Sequence, residues 1–235
     1  MIIGIFGYDF PHYKTNAIVK DAFINGFSIG AVLLAPKINY MDNGNITSID
    51  KDSRNEEIRE FCKTNNIDFY RVIHNDTPKI KTIVENNNID VGLIGGAKII
   101  HQSIIEIFKL GIINYHPGRI PETSGLDSLY RTIENLVPPC VTAHLIDKKV
   151  DSGFFISEAI VEVFKEDTLE IISSRILKKQ IEINQLVLKK VKDPTLSFTE
   201  IYRPKKNEKL SIEEKKKIMI YFDKWKNKFT VNLWK

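Results

Sequence analysis

The sequence lacks the features of a membrane protein, a disulfide-stapled scaffold or a repeat protein. No apolar run approaches the roughly 20 residues that a membrane-spanning helix needs, and no basic segment precedes the apolar N-terminal run. The only 2 cysteines, Cys62 and Cys140, lack metal-ligand spacing, which favours reduced packing residues over a disulfide or a metal site. Internal repeats are also absent. The sequence therefore predicts a cytoplasmic globular protein without a bound metal.

Charge is distributed unevenly along the chain. The formal net charge is +4, but residues 203–235 alone carry 11 Lys or Arg against 4 Asp or Glu. Glutamates interrupt the lysine runs, and apolar positions recur there at helical spacing. This pattern favours a solvated helix face over a nucleic-acid surface, so no nucleic-acid partner is predicted.

Apolar patterning predicts an α/β protein with a doubly wound, mainly parallel sheet. Strands are predicted where short apolar runs occur, at residues 1–6, 28–34, 89–94, 140–146 and 154–163. Helices are predicted where the apolar period is helical, at residues 15–25, 54–65, 77–87, 126–135 and 166–192. Asp76 or Thr77 should cap the third helix, with Pro78 in its first turn. We expect a catalytic domain over residues 1–193 and a short C-terminal extension over 194–235.

Polar residues follow two of the predicted strands, where such sheets bind ligands. Gly95-Gly96-Ala97-Lys98 follows the strand at residues 89–94, and Asn114-Tyr-His116-Pro117-Gly118 continues the run at 111–113. Residues two apart on an extended strand point to the same face, so Asn114 and His116 are expected to converge. Pro117 and Gly118 then let the backbone turn away.

The segments INYHPGRIP and CVTAHLIDKKVDSGFFI resemble the signature of folate-dependent formyltransferases. This family includes glycinamide ribonucleotide, methionyl-tRNA and sugar N-formyltransferases. Four elements occur in the family's order: Asn-x-His-Pro at Asn114, Pro-x-x-x-Gly at Pro121, Thr-x-His at Thr142, and Asp-x-Gly at Asp151. The 35 positions between His116 and Asp151 suit the family's intervening helix and strand. The resemblance implies a Rossmann-like formyltransferase fold.

The resemblance also implies roles for individual residues. Asn114 and a protonated His116 would donate hydrogen bonds to a tetrahedral oxyanion, while Asp151 orients the histidine and supports its charge. His144 is expected to support this site without a direct role. The implied formyl donor is N10-formyltetrahydrofolate. Its predicted contacts are Gly96, Ala97, Lys98, Ile99, Ile100, Asp147 and Val150.

The sequence lacks features that are typical of two branches of the family, and this limits the choice of acceptor. Methionyl-tRNA formyltransferases usually carry a further C-terminal domain of ~100 residues, whereas about 40 follow the last long predicted helix. Glycinamide ribonucleotide enzymes have a Gly-Ser-Asn phosphate loop, which GIFGYDFPHYKTNA does not match. The sequence then most resembles the sugar N-formyltransferase branch of the family. This resemblance implies a nucleotide-linked amino-deoxysugar as acceptor, with dTDP-4-amino-4,6-dideoxyglucose as the leading candidate, and a homodimer.

Candidate substrate contacts follow from the residue types that suit a base, a pyrophosphate and sugar hydroxyls. The predicted contacts are Tyr8, Phe10, His12, Arg119, Glu122, Thr123 and Ser124. Lower-ranked candidates are Tyr202, Trp225 and Trp234 for a base, and Arg203 or Lys98 for a pyrophosphate.

Other functions remain as alternatives to transfer onto a sugar. The acceptor could instead be glycinamide ribonucleotide or methionyl-tRNA. A formyltetrahydrofolate hydrolase would use the same three side chains with water as the acceptor. Such hydrolases normally carry an N-terminal regulatory domain, whereas this sequence enters its predicted catalytic sheet at Met1. A non-catalytic folate or nucleotide binder would have no need of Asn114, His116 and Asp151 together.

Overall fold

The computed structural model describes residues 1–40, 46–50, 52–148, 151–195, 197–201 and 207–231. Internal contacts divide the chain into two compact units, Met1–Ile113 and Asn114–Lys235. The strands are β1 Ile2–Tyr8, β2 Ser28–Ala35, β3 Ile38–Tyr40, β4 Ile46–Ile49, β5 Phe69–Arg71, β6 Val91–Ile94, β7 Ile112–His116, β8 Cys140–Ile146, β9 Gly153–Ile160 and β10 Thr199–Ile201. The helices are α1 Tyr13–Ile24, α2 Glu56–Thr64, α3 Thr77–Asn86, α4 Gln102–Ile105, α5 Ser128–Glu134, α6 Leu169–Glu182, α7 Asn184–Lys192, α8 Ile212–Met219 and α9 Phe222–Phe229.

The first unit contains a parallel sheet built around β1. Its strand order is β7-β6-β1-β2-β5, and the pairs described within it are all parallel. Only the first two residues of β7, Ile112 and Ile113, belong to this unit. Ile3, Ile5 and Phe6 of β1 are fully buried, as expected of a strand that is covered on both faces. Because β2 and β6 flank β1 on opposite sides, the carboxyl end of β1 is a topological switch point, where doubly wound sheets bind ligands.

The helices predicted for the first unit are confirmed, and side chains at their first turns explain where they begin. Asp76 caps α3 as expected, because its carboxylate accepts the Lys79 N–H at 3.3 Å, and Pro78 lies in the first turn. Helix α1 starts at Tyr13 because the His12 imidazole accepts the Thr15 N–H at 3.2 Å. The sequence pattern did not reveal this cap, since Ser, Thr, Asp and Asn usually fill that position.

A buried ion cluster holds the end of β1 against α2 and β5. Asp9 is fully buried and lies 2.6 Å from the Arg59 guanidinium and 3.3 Å from that of Arg71. It also accepts the Asn55 N–H at 3.2 Å. Burial alone raises the pKa of Asp9, but the hydrogen bonds and charges of these neighbours outweigh it and lower that pKa below its ordinary value. The cluster therefore fixes the backbone around the switch point.

The second unit adds antiparallel strands. Its strand order is β10-β9-β8-β7, and the β8–β9 and β9–β10 pairs are antiparallel. Val141 and Ala143 of β8 and Val187 and Leu188 of α7 are fully buried and form part of its core. The α/β class with a mainly parallel sheet is confirmed, whereas the antiparallel pairing was not foreseen from the sequence.

One predicted helix is interrupted in the structure. The expected helix over residues 166–192 is two helices, α6 and α7, which are separated at Ile183. Helix α6 packs on β8 and α7 packs on β9, and the buried Asn184 accepts the Tyr115 hydroxyl at 2.6 Å. A bend lets each half follow its own strand. It leaves the apolar period intact, so the pattern did not reveal it.

The C-terminal residues from 207 to 231 pack within the second unit. They form α8 and α9 as the helical spacing predicted, and Leu210, Ile218 and Trp225 are buried there. The Trp225 indole donates to the Val137 carbonyl at 2.8 Å, so its candidacy for stacking on a base is wrong. Tyr202, Arg203 and Trp234 lie outside the described residues. The domain boundary at residue 193 stays a prediction.

Two composition-based expectations concern the cysteines and the membrane. Both thiols are free and buried, which confirms that the cysteines are packing residues, and burial raises the pKa of Cys62 to about 11 and of Cys140 to about 12. Across the described ranges, no helix combines the length and apolarity needed to cross a bilayer. The cytoplasmic location stays a prediction.

Candidate active site

The second unit brings the four motif elements together around the His116 ring. His116 ends β7 and is 3% exposed. Its Nε2 lies 3.0 Å from the Thr123 carbonyl oxygen, and its Nδ1 lies 3.4 Å from a carboxylate oxygen of Asp151. Both neighbours are acceptors, so a ring that donates from both nitrogens, the imidazolium, satisfies both contacts. The Nε2–H that was expected to face an oxyanion faces the Thr123 carbonyl instead.

Asp151 reaches His116 through an unusual backbone turn. Its φ of 51° is left-handed, a conformation that Asp tolerates better than most residues. Gly153 follows with φ of +111°, and a Cβ there would overlap the Leu145 carbonyl. The side chain of Asp151 is 10% exposed and also accepts the Gly125 N–H, so the Asp-x-Gly and Pro-x-x-x-Gly turns meet.

Burial and hydrogen bonding act on the Asp151 carboxyl in opposite directions. Burial raises its pKa, but the His116 contact and charge and the Gly125 N–H outweigh burial and leave the pKa below its ordinary value. Asp151 is therefore ionised at neutral pH. The carboxylate is therefore placed to accept a hydrogen bond from the His116 Nδ1–H.

The Thr-x-His strand supports the Asn-x-His strand through two side chains. The Thr142 hydroxyl donates to the Gly118 carbonyl at 2.7 Å and holds the loop that follows His116. His144 Nδ1 lies 3.0 Å from the Ser152 carbonyl and therefore donates to it. Burial lowers the pKa of His144 to about 4, so the ring is neutral and its Nε2 accepts from the Asn114 amide at 3.2 Å. His144 thus fixes which way the Asn114 amide points.

The buried neutral His144 predicts acid sensitivity. In the unfolded chain its pKa returns to about 6.5, so its contribution is complete above pH 6.5 and is lost as pH falls towards about 4. We expect the free energy of unfolding to fall over that range by on the order of 3 kcal/mol from this group. Urea unfolding of wild type and His144→Asn at half-unit pH steps measures it. The variant should show a shallower pH slope, and the exposed His101→Asn should not. Identical slopes for wild type and His144→Asn would contradict the assignment.

The turn from Pro121 to Gly125 is stabilised by hydrogen bonds from two of its own hydroxyl groups. Thr123 and Ser124 are fully buried, and their hydroxyls donate to the Arg119 carbonyl at 2.9 Å and the Pro121 carbonyl at 2.6 Å. Glu122 is exposed. The Arg119 guanidinium forms two bonds with the Glu158 carboxylate, at 2.6 and 3.0 Å. Substrate contact by these four predicted residues stays a prediction, and the structure gives three of them internal partners.

A groove of about 700 Å³ starts at Pro117, the residue after His116. It is lined mainly by residues of α5 and α6. Gln180 lines this groove, and the residue as a whole is 5% exposed. Its amide carries both donor and acceptor atoms. The sequence pattern did not single out Gln180, because one polar residue on an amphipathic helix is unremarkable.

The remaining predicted contacts lie in the first unit or in the turn before Asp151. Gly96 packs tightly under Tyr8 and His12, where a Cβ would come within 2.8 and 2.9 Å of their rings. Ala97 is half-buried, Lys98 and Ile99 are exposed, and Ile100 is buried. Asp147 accepts the Ser152 hydroxyl. Val150 lies outside the described residues, and folate binding by this set stays a prediction.

Comparison with known proteins relates the chain to formyl transfer. The model of the formyl transferase family matches residues 40–188. Phosphoribosylglycinamide formyltransferase of Haemophilus influenzae is 32% identical over 98 residues, which are 41% of this chain and 46% of that protein. Methionyl-tRNA formyltransferase of Mycoplasma genitalium is 30% identical over 132 residues, which are 55% and 39% of the two chains. The chain thus spans less than half of the length of these relatives.

Solved structures share the fold. Phosphoribosylglycinamide formyltransferase of Anaplasma phagocytophilum has a TM-score of 0.60 at 20% identity, covering 80% of this chain and 84% of its own. A sugar N-formyltransferase of a Shewanella species has a TM-score of 0.58 at 15% identity, covering 91% and 78%. The family model covers more than half of the sequence and includes the converging motif elements. The chain belongs to the formyl transferase family.

Proposed function

We propose that this protein transfers the formyl group of N10-formyltetrahydrofolate to the amine of a nucleotide-linked amino-deoxysugar. dTDP-4-amino-4,6-dideoxyglucose is the first acceptor to test. The observation that carries the reaction class is the ionised Asp151 held 3.4 Å from the His116 ring, with Asn114 on the same strand. Cytoplasmic location and a homodimer belong to the same proposal.

Formyl transfer needs a neutral amine, a stabilised oxyanion and a relayed proton. The acceptor nitrogen attacks the formyl carbon, the bond from that carbon to N10 breaks, and one proton passes from the acceptor nitrogen to N10. One hydrogen of the Asn114 amide is donated to His144. The other amide hydrogen can then be donated to the oxyanion. His116 supplies Nε2–H once the ring leaves the Thr123 carbonyl. Two donors aimed at the developing oxyanion lower the barrier more than they stabilise the substrate.

Asp151 serves the proton relay by keeping His116 in place. The carboxylate faces Nδ1, so the ring keeps its orientation while Nε2 gives up a proton and regains it. The Gly125 N–H fixes the carboxylate in turn.

The groove beside Pro117 is the proposed acceptor site. Gln180 lines this groove, and its amide offers both a donor and an acceptor, which suits sugar hydroxyls. The structural neighbour from Shewanella, named as a sugar N-formyltransferase, spans most of this chain and supports this acceptor class. The relatives named for glycinamide ribonucleotide and methionyl-tRNA are the reason to test those acceptors as well.

Gln180→Leu is expected to raise the KM for the acceptor about fivefold with little change in kcat. The reason is that it removes a hydrogen bond made equally in substrate and transition state, typically worth about 1 kcal/mol. Steady-state kinetics with the acceptor varied at saturating formyl donor measure the effect. Gln185→Leu, on α7 and outside the groove, is the matched control. An unchanged KM in Gln180→Leu would remove the groove from the proposal.

A panel assay tests the function as a whole. The protein is mixed with 10-formyltetrahydrofolate and with amino-sugar nucleotides, glycinamide ribonucleotide, methionyl-tRNA or no acceptor, and tetrahydrofolate release is followed. Release that depends on an amino-sugar nucleotide supports the proposal. Release without any acceptor would identify a hydrolase, and release only with one of the other acceptors would reassign the substrate.

A further inference from the structure

The first unit contains a cavity at the topological switch point of its sheet. The cavity is about 220 Å³ and is lined by residues at or just after the carboxyl ends of β1, β2, β5 and β6. Doubly wound sheets bind ligands in this position. The volume suits one flat ring system rather than a whole cofactor.

One wall of the cavity is an aromatic pair. The rings of Tyr8 and Phe10 stack with centroids 4.7 Å apart and planes 21° apart. Pro36, Ile38 and Ile73 add apolar surface around them. Stacked rings beside an apolar slot favour a further planar ring, because aromatic surfaces prefer offset stacking.

The side chain of Asn75, at the edge of the cavity, hydrogen-bonds to the backbone of the loop that follows β6. Asn75 donates to the Ile99 carbonyl at 3.0 Å and accepts the His101 N–H at 2.9 Å, which fixes the loop after β6. Ile99 lines the cavity but is 66% exposed.

The charge around the cavity is of one sign. Lys37 and Lys98 line it, and no acidic residue is among the described residues that do so. His74 also lines it, but burial lowers its pKa to about 4, so it is neutral at pH 7. Two ammonium groups beside an aromatic slot suit a ring that carries phosphate, since lysine binds phosphate as a point charge.

We propose that this cavity binds the aromatic base of a nucleotide, with the nucleotide's phosphate groups on Lys37 and Lys98. The assignment rests on the slot, the stacked pair and the lysines, and it does not depend on the proposed reaction. Binding is measured directly, without formyl donor or turnover. A failure of the nucleotide site can therefore be distinguished from a failure of the proposed formyl transfer.

Calorimetric titration of the full chain tests the site with TMP, UMP and AMP, the matching nucleosides, inorganic pyrophosphate and p-aminobenzoyl-glutamate. At least one nucleotide should bind, and more tightly than its nucleoside. Phe10→Ala should weaken it about 5- to 100-fold, on the scale of one lost base-stacking contact. The double variant Lys37→Ala/Lys98→Ala should bring nucleotide affinity down to that of the nucleoside. Tyr13→Ala and Lys109→Ala, outside the cavity, are the matched controls.

Two further measurements keep the test decisive. Phe10→Leu retains an apolar side chain without a stacking face, and it should weaken binding even if Phe10→Ala unfolds. Circular dichroism checks folding of each variant. The proposal is overturned if no nucleotide binds, if the Phe10 and lysine variants bind as wild type, or if only p-aminobenzoyl-glutamate binds.

Discussion

His116→Ala is expected to lower turnover by about 100- to 1000-fold while the protein stays folded. The variant removes an oxyanion donor, and losing one such donor typically costs about 2.7–4 kcal/mol of transition-state stabilisation. The same ring carries the proposed proton relay, so the lower bound is conservative. The measurement is kcat with saturating formyl donor and the best acceptor of the panel.

The KM for the acceptor should change little in His116→Ala, because the donor acts mainly in the transition state. The exposed His101→Ala is the matched control and should keep wild-type kcat. Circular dichroism and thermal unfolding show whether the variant is folded. A folded His116→Ala with near-normal turnover would falsify the assignment of this ring.

Asp151→Asn is expected to lower kcat by about 10²- to 10⁴-fold. The amide keeps the size of the carboxylate, but it removes the negatively charged acceptor that lies 3.4 Å from His116 Nδ1. In other enzymes, the same replacement beside a catalytic histidine costs rates of this order. Asp223→Asn, at a side chain 84% exposed, is the matched control.

The pH dependence of the Asp151→Asn effect follows from the lowered pKa of Asp151. A carboxylate whose pKa is lowered in the folded state contributes stability above its ordinary value near 3.8, and it loses that contribution as pH falls through the folded pKa. The difference in unfolding free energy between wild type and Asp151→Asn should therefore shrink as pH falls below about 4. A difference that did not shrink there would contradict the assignment.

Local pattern was sufficient for most elements of the fold. The apolar runs of β1, β2 and β6 and the helical periods of α1 to α3 predicted those elements, because strand and helix periods are properties of neighbouring residues. The same local logic put Asn114 and His116 on one strand. It did not predict the break at Ile183 or the short strands β3, β4 and β5, which are too brief for a period to show.

The sequence by itself determined the α/β class, the order of the four motif elements and the identity of their residues. Only the tertiary structure decided that Asp151 lies 3.4 Å from His116, that His144 holds Asn114, and that Gln180 lines the groove beside Pro117. The physical reason is the separation along the sequence of the residues that come into contact. Periodicity constrains residues a few positions apart. These contacts join residues at least 30 positions apart, such as Asn114 and His144, and they depend on the β8–β9 pairing and on the left-handed turn at Asp151.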